Sequence, residues 1–387
     1  MSATTEEEEA AAGGPYDRLS ELRAFDDTKA GVKGLVDAGI TAVPAIFRHP
    51  HHQLPSSTTT TTITVPVIDL SAADAAADPN ARAEVVAQVK AAAETVGFFQ
   101  LINHGVPVDL MSETLSSVRR FHESPAEAKL PYYTRDPRRR LRFNSNFDLF
   151  QSPAANWRDT LFLAAAPDPP PASDLPPAVR HVMLPYAAEV RSLAARVLAL
   201  LSEALGLDAG RLEAMGCAEG ISLVCNYYPP CPEPELTMGC GAHSDPSFLT
   251  VLLLQDGAGA GGLQARLGHG GEWADVAPPV DGALLVNVGD LMQLVSNGRF
   301  RSVEHRVVAT SRSAAEARVS VACFCNADVA TDTRLYGPIP ELITSSGSWD
   351  GGAGRAVYRS VTVPEFLAHY DGKGLDGRPA LDHFRLR

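Results

Sequence analysis

Beyond about residue 218, short runs of Val, Leu, Ile and Phe alternate with turns built of Gly, Pro and Asp, and no other feature limits the fold as much. The runs cover 221–228, 247–254, 262–267, 283–288, 303–309 and 318–325. Each has the length of a strand, and their regular spacing predicts an all-β sandwich or jelly roll. Upstream the periodicity changes. Val65-Pro-Val-Ile-Asp-Leu70 reads as a short strand closed by Ser71 as a helix cap. From Ala81, the positions Val85, Val89, Ala92 and Val96 recur at helical spacing until Gly97, and Phe98–Ile102 follows as a buried strand. Leu110, Leu115, Val118 and Phe121 mark a second helix, and Ser124-Pro-Ala-Glu127 has the form of a capping box opening a third. After a Pro-rich loop at 166–178, a long helix runs through Val190, Leu193, Val197, Leu200 and Leu205 to Gly206.

Charge narrows the partners. Forty-six acidic residues against 33 basic ones leave a formal charge of −13, which repels phosphate backbones and anionic lipid alike. Neither nucleic acid nor a membrane is expected as a partner. Residues 1–15 read as an acidic, disordered tail with no apolar signal region, and no apolar stretch approaches the ~20 residues of a spanning helix. Six cysteines without a C-x-x-C pair are expected to be buried, reduced thiols. A cytoplasmic protein follows, with nuclear entry left open.

The candidate chemistry starts at His243-Ser-Asp245. In a strand, residues i and i+2 point to one face, and two steps of rise set their α-carbons roughly 6.5 Å apart. Alone this pair is weak; His305, on a neighbouring predicted strand, strengthens it. Two imidazoles and a carboxylate on one side of an ion, with other positions open, suit a non-haem Fe(II) oxygenase. Arg318 and Ser320 again share one face, on a strand made apolar by Val319, Val321 and Phe324. A guanidinium committed to such an interior needs a carboxylate partner. The same strand offers none, so a carboxylate ligand is the economical answer.

With these residues in view, the chain resembles the plant 2-oxoglutarate and Fe(II)-dependent dioxygenases from about Glu21 to its C-terminus. The matching segments are Ala24-Phe-Asp-Asp-Thr-Lys-Ala-Gly-Val-Lys-Gly-Leu35, Val96-Gly-Phe-Phe99, Ile102-Asn-His-Gly105, Trp157-Arg-Asp-Thr160, Asn226-Tyr-Tyr-Pro-Pro-Cys231, His243-Ser-Asp245, Val303-Glu-His-Arg306 and Arg318-Val-Ser320. The first of these and Leu335-Tyr-Gly-Pro338 look most like the branch containing deacetoxyvindoline 4-hydroxylase, benzoxazinoid-glucoside dioxygenase and aminocyclopropane-carboxylate oxidase homologues.

The resemblance implies a mainly β protein with flanking helices, its core a distorted double-stranded β-helix behind an N-terminal α/β region. The expected divisions are a tail, helical arm and linker at 1–62, the α/β region at 63–210, the jelly-roll core at 211–330 and a C-terminal extension with a helix at 331–387. The resemblance also implies Fe(2+) held by His243, Asp245 and His305. It implies 2-oxoglutarate bound by Arg318, Ser320, Tyr228 and Asn226, dioxygen as the other co-substrate, and ascorbate in support. The implied reaction hydroxylates a small aromatic or heterocyclic metabolite or hormone-like molecule and converts 2-oxoglutarate to succinate and CO2. By motif position, Phe143, Val224, Phe324 and Asn326 should face the substrate, with a role in the core as the alternative for the aromatics. A monomer is expected. The rival readings are a non-catalytic binding protein on the same scaffold and an oxidase that dispenses with 2-oxoglutarate.

Some signals carry less. His49, His51 and His52 lie in a polar linker without a carboxylate, and His104 reads as a hydrogen-bonded turn residue. Arg138, Arg139, Arg140 and Arg142 read as a solvated loop, with attraction of an anionic substrate as the other possibility. Gly257 to Gly271 lacks the context of a phosphate loop and reads as a surface hairpin.

Overall fold

The computed structural model describes residues 16–50, 54, 61–73, 78–255, 261–266, 271–309, 316–344 and 355–386. The acidic tail, His51 and His52 therefore lie outside the described residues. Thirteen strands are described: β1 (Thr62–Ile63), β2 (Val67–Asp69), β3 (Phe98–Ile102), β4 (Leu141–Asn144), β5 (Asp159–Ala166), β6 (Gly220–Tyr228), β7 (Met238–His243), β8 (Leu249–Leu254), β9 (Leu263–Arg266), β10 (Trp273–Val276), β11 (Leu284–Val288), β12 (His305–Val308) and β13 (Arg318–Asn326). They form two sheets. The larger has the order β2-β3-β11-β8-β13-β6-β5-β4, and the smaller β1-β10-β9-β12-β7. All six expected strand runs after residue 218 are present, and the helices flank them as a jelly roll with an N-terminal α/β region requires. Strands β2 to β5, from the 63–210 region, continue the same large sheet as the strands of the 211–330 region.

The helices are α1 (Arg18–Asp27), α2 (Gly31–Asp37), α3 (Pro79–Thr95), α4 (Val108–Glu123), α5 (Ala126–Lys129), α6 (Met183–Ala204), α7 (Arg211–Ala214), α8 (Asp290–Val295), α9 (Pro340–Thr344) and α10 (Val363–Lys373). Asp78 caps α3 through the Asn80 N–H, Pro79 opens it, and its buried stripe is Val85, Val89, Ala92 and Ala93. Helix α6 buries Val190, Leu193, Val197, Leu200 and Leu201. It stops at Gly206, whose φ of 77° closes the last turn. No helix among the described residues is long and apolar enough to cross a membrane.

Two expected caps are corrected. Asp69, not Ser71, caps the short 3₁₀ turn after β2, because its carboxylate accepts from the Ser71 N–H. Ser124 caps nothing: its hydroxyl turns back to the Arg120 carbonyl at 2.6 Å, and α5 starts after Pro125 without a side-chain cap. The Gly-rich stretch is a hairpin in part. Strands β9 and β10 pair antiparallel, yet β9 also pairs with β12, so it belongs to the small sheet; residues 256–260 and 267–270 lie outside the described residues.

The N-terminal arm is tied down by a buried carboxylate. Asp159, fully buried at the start of β5, accepts from the Val32 and Lys33 N–H groups, both at 2.8 Å, at the first turn of α2. Gly31 enters that turn at φ 72°, and a Cβ there would collide with the Asp159 carboxylate. Around the join, Leu22, Phe25, Val32, Ile46, Phe47 and Trp157 form a second apolar core. The segments Ala24–Leu35 and Trp157–Thr160 are thus one structural unit.

Candidate metal and co-substrate site

Alternation gives the large sheet two different faces. In β5, Asp159, Leu161 and Leu163 are buried while Thr160, Phe162 and Ala164 are half-buried, and β6 repeats the pattern with Leu223 and Cys225 against Ser222 and Val224. The fully buried face packs under α4 and α6, where Tyr227 stacks on His122. The other, partly open face looks toward the small sheet. Pairing registers extend that open face across the sheet as rows: Asn287, Thr250, Phe324 and Ser222 in one, and Leu254, Ser320, Asn226 and Thr160 in the next.

The metal candidates meet where the sheets join. His305 on β12 is paired directly with His243 on β7, and their ring centroids are 4.3 Å apart. Strand β7 ends at His243, so Asp245 is not a strand residue as its spacing suggested; it sits in the link from β7 to β8. From there its Oδ1 lies 3.6 Å from His243 Nε2 and 3.5 Å from His305 Nε2. One ligand atom from each residue lies within 4.8 Å of the others.

Each group is held for ligation. His243 Nδ1 is 2.8 Å from the Gly241 carbonyl and His305 Nδ1 is 3.1 Å from the Val303 carbonyl. Both rings therefore donate from Nδ1 and keep the Nε2 lone pair free. Burial lowers the His243 pKa, which keeps the ring neutral. Asp245 Oδ2 accepts from Thr250 Oγ1 at 2.6 Å and from Asn287 Nδ2 at 2.7 Å, leaving Oδ1 for an ion. Burial alone would raise this carboxyl; His305, His243 and the Asn287 hydrogen bond outweigh it and hold the group well below the usual carboxylate range. Sequence reasoning missed Thr250 and Asn287. The available signal was a polar side chain inside each of two otherwise apolar strands.

A buried cation stands one edge away. Arg318 is 4% exposed, and among the described residues no carboxylate pairs with it. Its Nε donates to the Gly261 carbonyl at 3.0 Å, and its guanidinium sits 4.9 Å from the Tyr228 ring centroid. Its Nη1 has no hydrogen-bond partner. A buried guanidinium left half-satisfied in this way fits an incoming carboxylate. Ser320, Asn226 and Tyr228 share the open face with it, and Asn226 accepts from Thr160 at 3.0 Å. A second buried arginine, Arg158, donates to the Cys240 sulfur at 3.1 Å and keeps an unpartnered Nε.

Three of the four expected substrate residues share this face. Val224 and Phe324 are half-buried there, Phe324 directly opposite Thr250, and buried Asn326 has an unpartnered Oδ1. Phe143 does not join them. It is fully buried on the opposite face, with Phe121 at 5.4 Å and His122 at 5.8 Å, because the β4 pleat turns Arg142 rather than Phe143 toward the cavity. The C-terminal helix α10 buries Tyr370, and just past it the Leu375 N–H bonds Asp148 and Ser152.

Of the signals given less weight, the arginine cluster is corrected in part: Arg142 is a half-buried residue of β4 rather than part of a solvated loop. His104 is hydrogen-bonded in its turn, between the Gly282 carbonyl and the Val106 N–H. All six cysteines are free and buried.

Comparison with known proteins agrees with this geometry. Residues 221–327 match the 2OG-Fe(II) oxygenase superfamily, and residues 65–181 match the family described as non-haem dioxygenase in morphine synthesis N-terminal. The chain is 46% identical over 376 residues to 1-aminocyclopropane-1-carboxylate oxidase homolog 3 of Arabidopsis thaliana, covering 96% of this chain and 98% of that protein. It is equally identical, over 373 residues, to a probable 2-oxoacid dependent dioxygenase of the same plant, covering 96% and 99%. Among solved structures, JOX2 in complex with 2OG, Fe and JA superposes with a TM-score of 0.75 at 29% identity, covering 92% of this chain and 98% of that one.

Proposed function

The chain belongs to the 2-oxoglutarate and Fe(II)-dependent oxygenase superfamily, and from that premise we propose that it hydroxylates a small aromatic or heterocyclic metabolite. It is a dioxygenase whose cofactor is Fe(2+) and whose co-substrates are 2-oxoglutarate and dioxygen. The bound iron supplies the activation of dioxygen that couples oxidation of the substrate to decarboxylation of 2-oxoglutarate into succinate and CO2.

In this reading His243, Asp245 and His305 hold the iron. Asn287 and Thr250 orient the carboxylate ligand, and the two backbone carbonyls fix the imidazole tautomers. Arg318 and Ser320, with Tyr228 and Asn226 beside them, receive the distal carboxylate of the co-substrate. The observation that carries this assignment is the unpartnered Nη1 of buried Arg318 on the metal-facing side of the sheet. Phe324, Val224, Asn326 and Phe162 line the substrate space, half-buried aromatic rings among few polar atoms suiting a flat ring system. All of these groups come from one chain, so the site needs no residue from a second copy.

The test is iron- and substrate-dependent release of succinate from 2-oxoglutarate, screened against metabolite pools for mass gains of one oxygen. His243→Ala and Asp245→Ala should each abolish it. Full turnover by either variant refutes the assignment, and product formed without loss of 2-oxoglutarate would make the protein an oxidase instead. Phe324→Ala should alter substrate preference while sparing uncoupled consumption of 2-oxoglutarate.

A further inference from the structure

We propose that Arg142 makes the site selective for substrates that carry a carboxylate, held at the β4 end of the cavity with the reacting end toward the metal triad. The proposal deepens the reading above and rests on it. Pairing registers place Arg142 opposite Phe162, Phe162 opposite Val224, Val224 opposite Ala322, and Ala322 opposite Leu252. This is a row of the open face, next to the one holding Thr250 and Phe324. Phe162, Val224, Ala322 and Leu252 are apolar, and the row continues through Leu285 to Gln100, so the guanidinium is its single charge.

That guanidinium sits over the Phe162 ring, its Cζ 3.8 Å from the centroid. Its Nη1 is engaged by the backbone carbonyls of Pro137 and Arg139, which fix its position without neutralising it. Its neighbours differ. Arg138 is paired with Asp136 at 2.9 Å and Arg140 with Asp168 at 2.5 Å, both at the surface. Among the described residues no carboxylate lies within ion-pairing distance of Arg142. The charged groups that face it are Asp371 on α10, beyond ion-pairing distance and with its carboxyl pushed up to about 6 by burial, and Asp136, already committed to Arg138. Burial lowers the Arg142 pKa, as expected of a cation short of a counter-charge.

A planar guanidinium with free N–H groups beside an aromatic wall is a fork for a carboxylate, with the body of the ligand lying along the ring. Arg318 cannot serve the same anion. It stands in the row of Tyr228, on β13, three strands from β4. Three strand spacings come to about 14 Å along the sheet and less across its concave side. The two arginines therefore read two carboxylates, one on the co-substrate and one on the substrate. Thr250, which holds Asp245, stands on β8, four strands from β4, so a substrate held by Arg142 must reach back along the open face toward the triad.

The test uses protein loaded with Co(II) and 2-oxoglutarate, which binds without turning over, and calorimetric affinities for matched acids and amides. Phenylacetate against phenylacetamide, cinnamate against cinnamamide, and indole-3-carboxylate against its amide serve as probes. The wild type should bind at least one acid about tenfold or more tightly than its amide. Arg142→Met should erase that preference, Arg142→Lys should keep part of it, and the affinity for 2-oxoglutarate should be unchanged in all three proteins. Equal binding of every acid and amide by the wild type overturns the proposal, as does an acid preference that survives in Arg142→Met. Failure of the wild type to bind 2-oxoglutarate would be a separate result, and would sink the reading of the site itself.

Discussion

Asn287 and Thr250 stand opposite one another on β11 and β8, and both donate to the same oxygen of Asp245. The carboxylate is thus oriented by two strands of the large sheet, although it is anchored to neither. Asn287→Leu and Thr250→Val each remove one donor from an apolar strand and should leave the fold intact. Metal affinity should fall about 10- to 100-fold for each, because a carboxylate free to rotate loses its preorganisation. Titration with Co(II), followed by its ligand-field absorption, measures this; unchanged affinity in both variants would mean that the donors serve only the fold.

Arg318→Met separates co-substrate binding from metal binding. The 2-oxoglutarate Kd should rise more than ~100-fold, since a desolvated charge-assisted contact is worth about 3–5 kcal/mol. The Co(II) affinity should not change. Thermal stability should hold or improve, because the substitution removes a buried charge that burial already disfavours.

Gly31→Ala should cost about 1–3 kcal/mol, through the strain of a positive φ and the collision with Asp159. The loss should appear as a Tm lower by several degrees and as faster proteolysis of the N-terminal arm. Metal affinity should be unaffected, because the join lies on the helix-covered side of β5.

His122 makes stability depend on pH. Neither ring nitrogen has a side-chain partner, and burial, followed by nearby Lys129, pushes its pKa down to about 3. The folded value lies below the unfolded value of about 6.5, so the unfolded chain binds the proton first. The stabilising contribution is complete above pH 6.5 and is lost as pH falls toward 3. At pH 5 the loss from this residue alone is about 2 kcal/mol. In His122→Phe, which keeps the stack on Tyr227, Tm should fall less steeply between pH 7 and pH 5; parallel curves would refute the assignment.

The sequence spoke most clearly where one physical pattern acted alone. Runs such as 221–228 and 318–325 are strands because branched and aromatic residues fill a sheet, and Gly206 ends α6 because few other residues adopt its conformation. It spoke less clearly where two partners compete. Ser124 prefers a carbonyl behind it to the N–H groups ahead, and Asp69 accepts from the N–H of Ser71 itself, so the cap falls two residues earlier than expected. Strands β4, β5 and β10, the two-residue β1 and the part of β7 before His243 escaped detection because polar residues, Gly and Ala dilute their apolar pattern. Motif position places Phe143 on the substrate face, whereas the pleat of β4 gives that place to Arg142, and a one-residue error in phase reverses every side chain. The triad was legible by residue type. Its geometry was not, because Asp245 reaches the ion from a link between sheets rather than along a strand.

On β6 and β13, successive residues answer to different demands: Leu223, Cys225, Val321 and Cys323 seal the helix side, while Val224, Asn226, Ser320 and Phe324 meet whatever enters. Heat tolerance and diet are thereby written on interleaved positions of the same two segments. A lineage built this way can acquire new chemistry by exchanging alternate letters, and drift in the letters between them is punished at once.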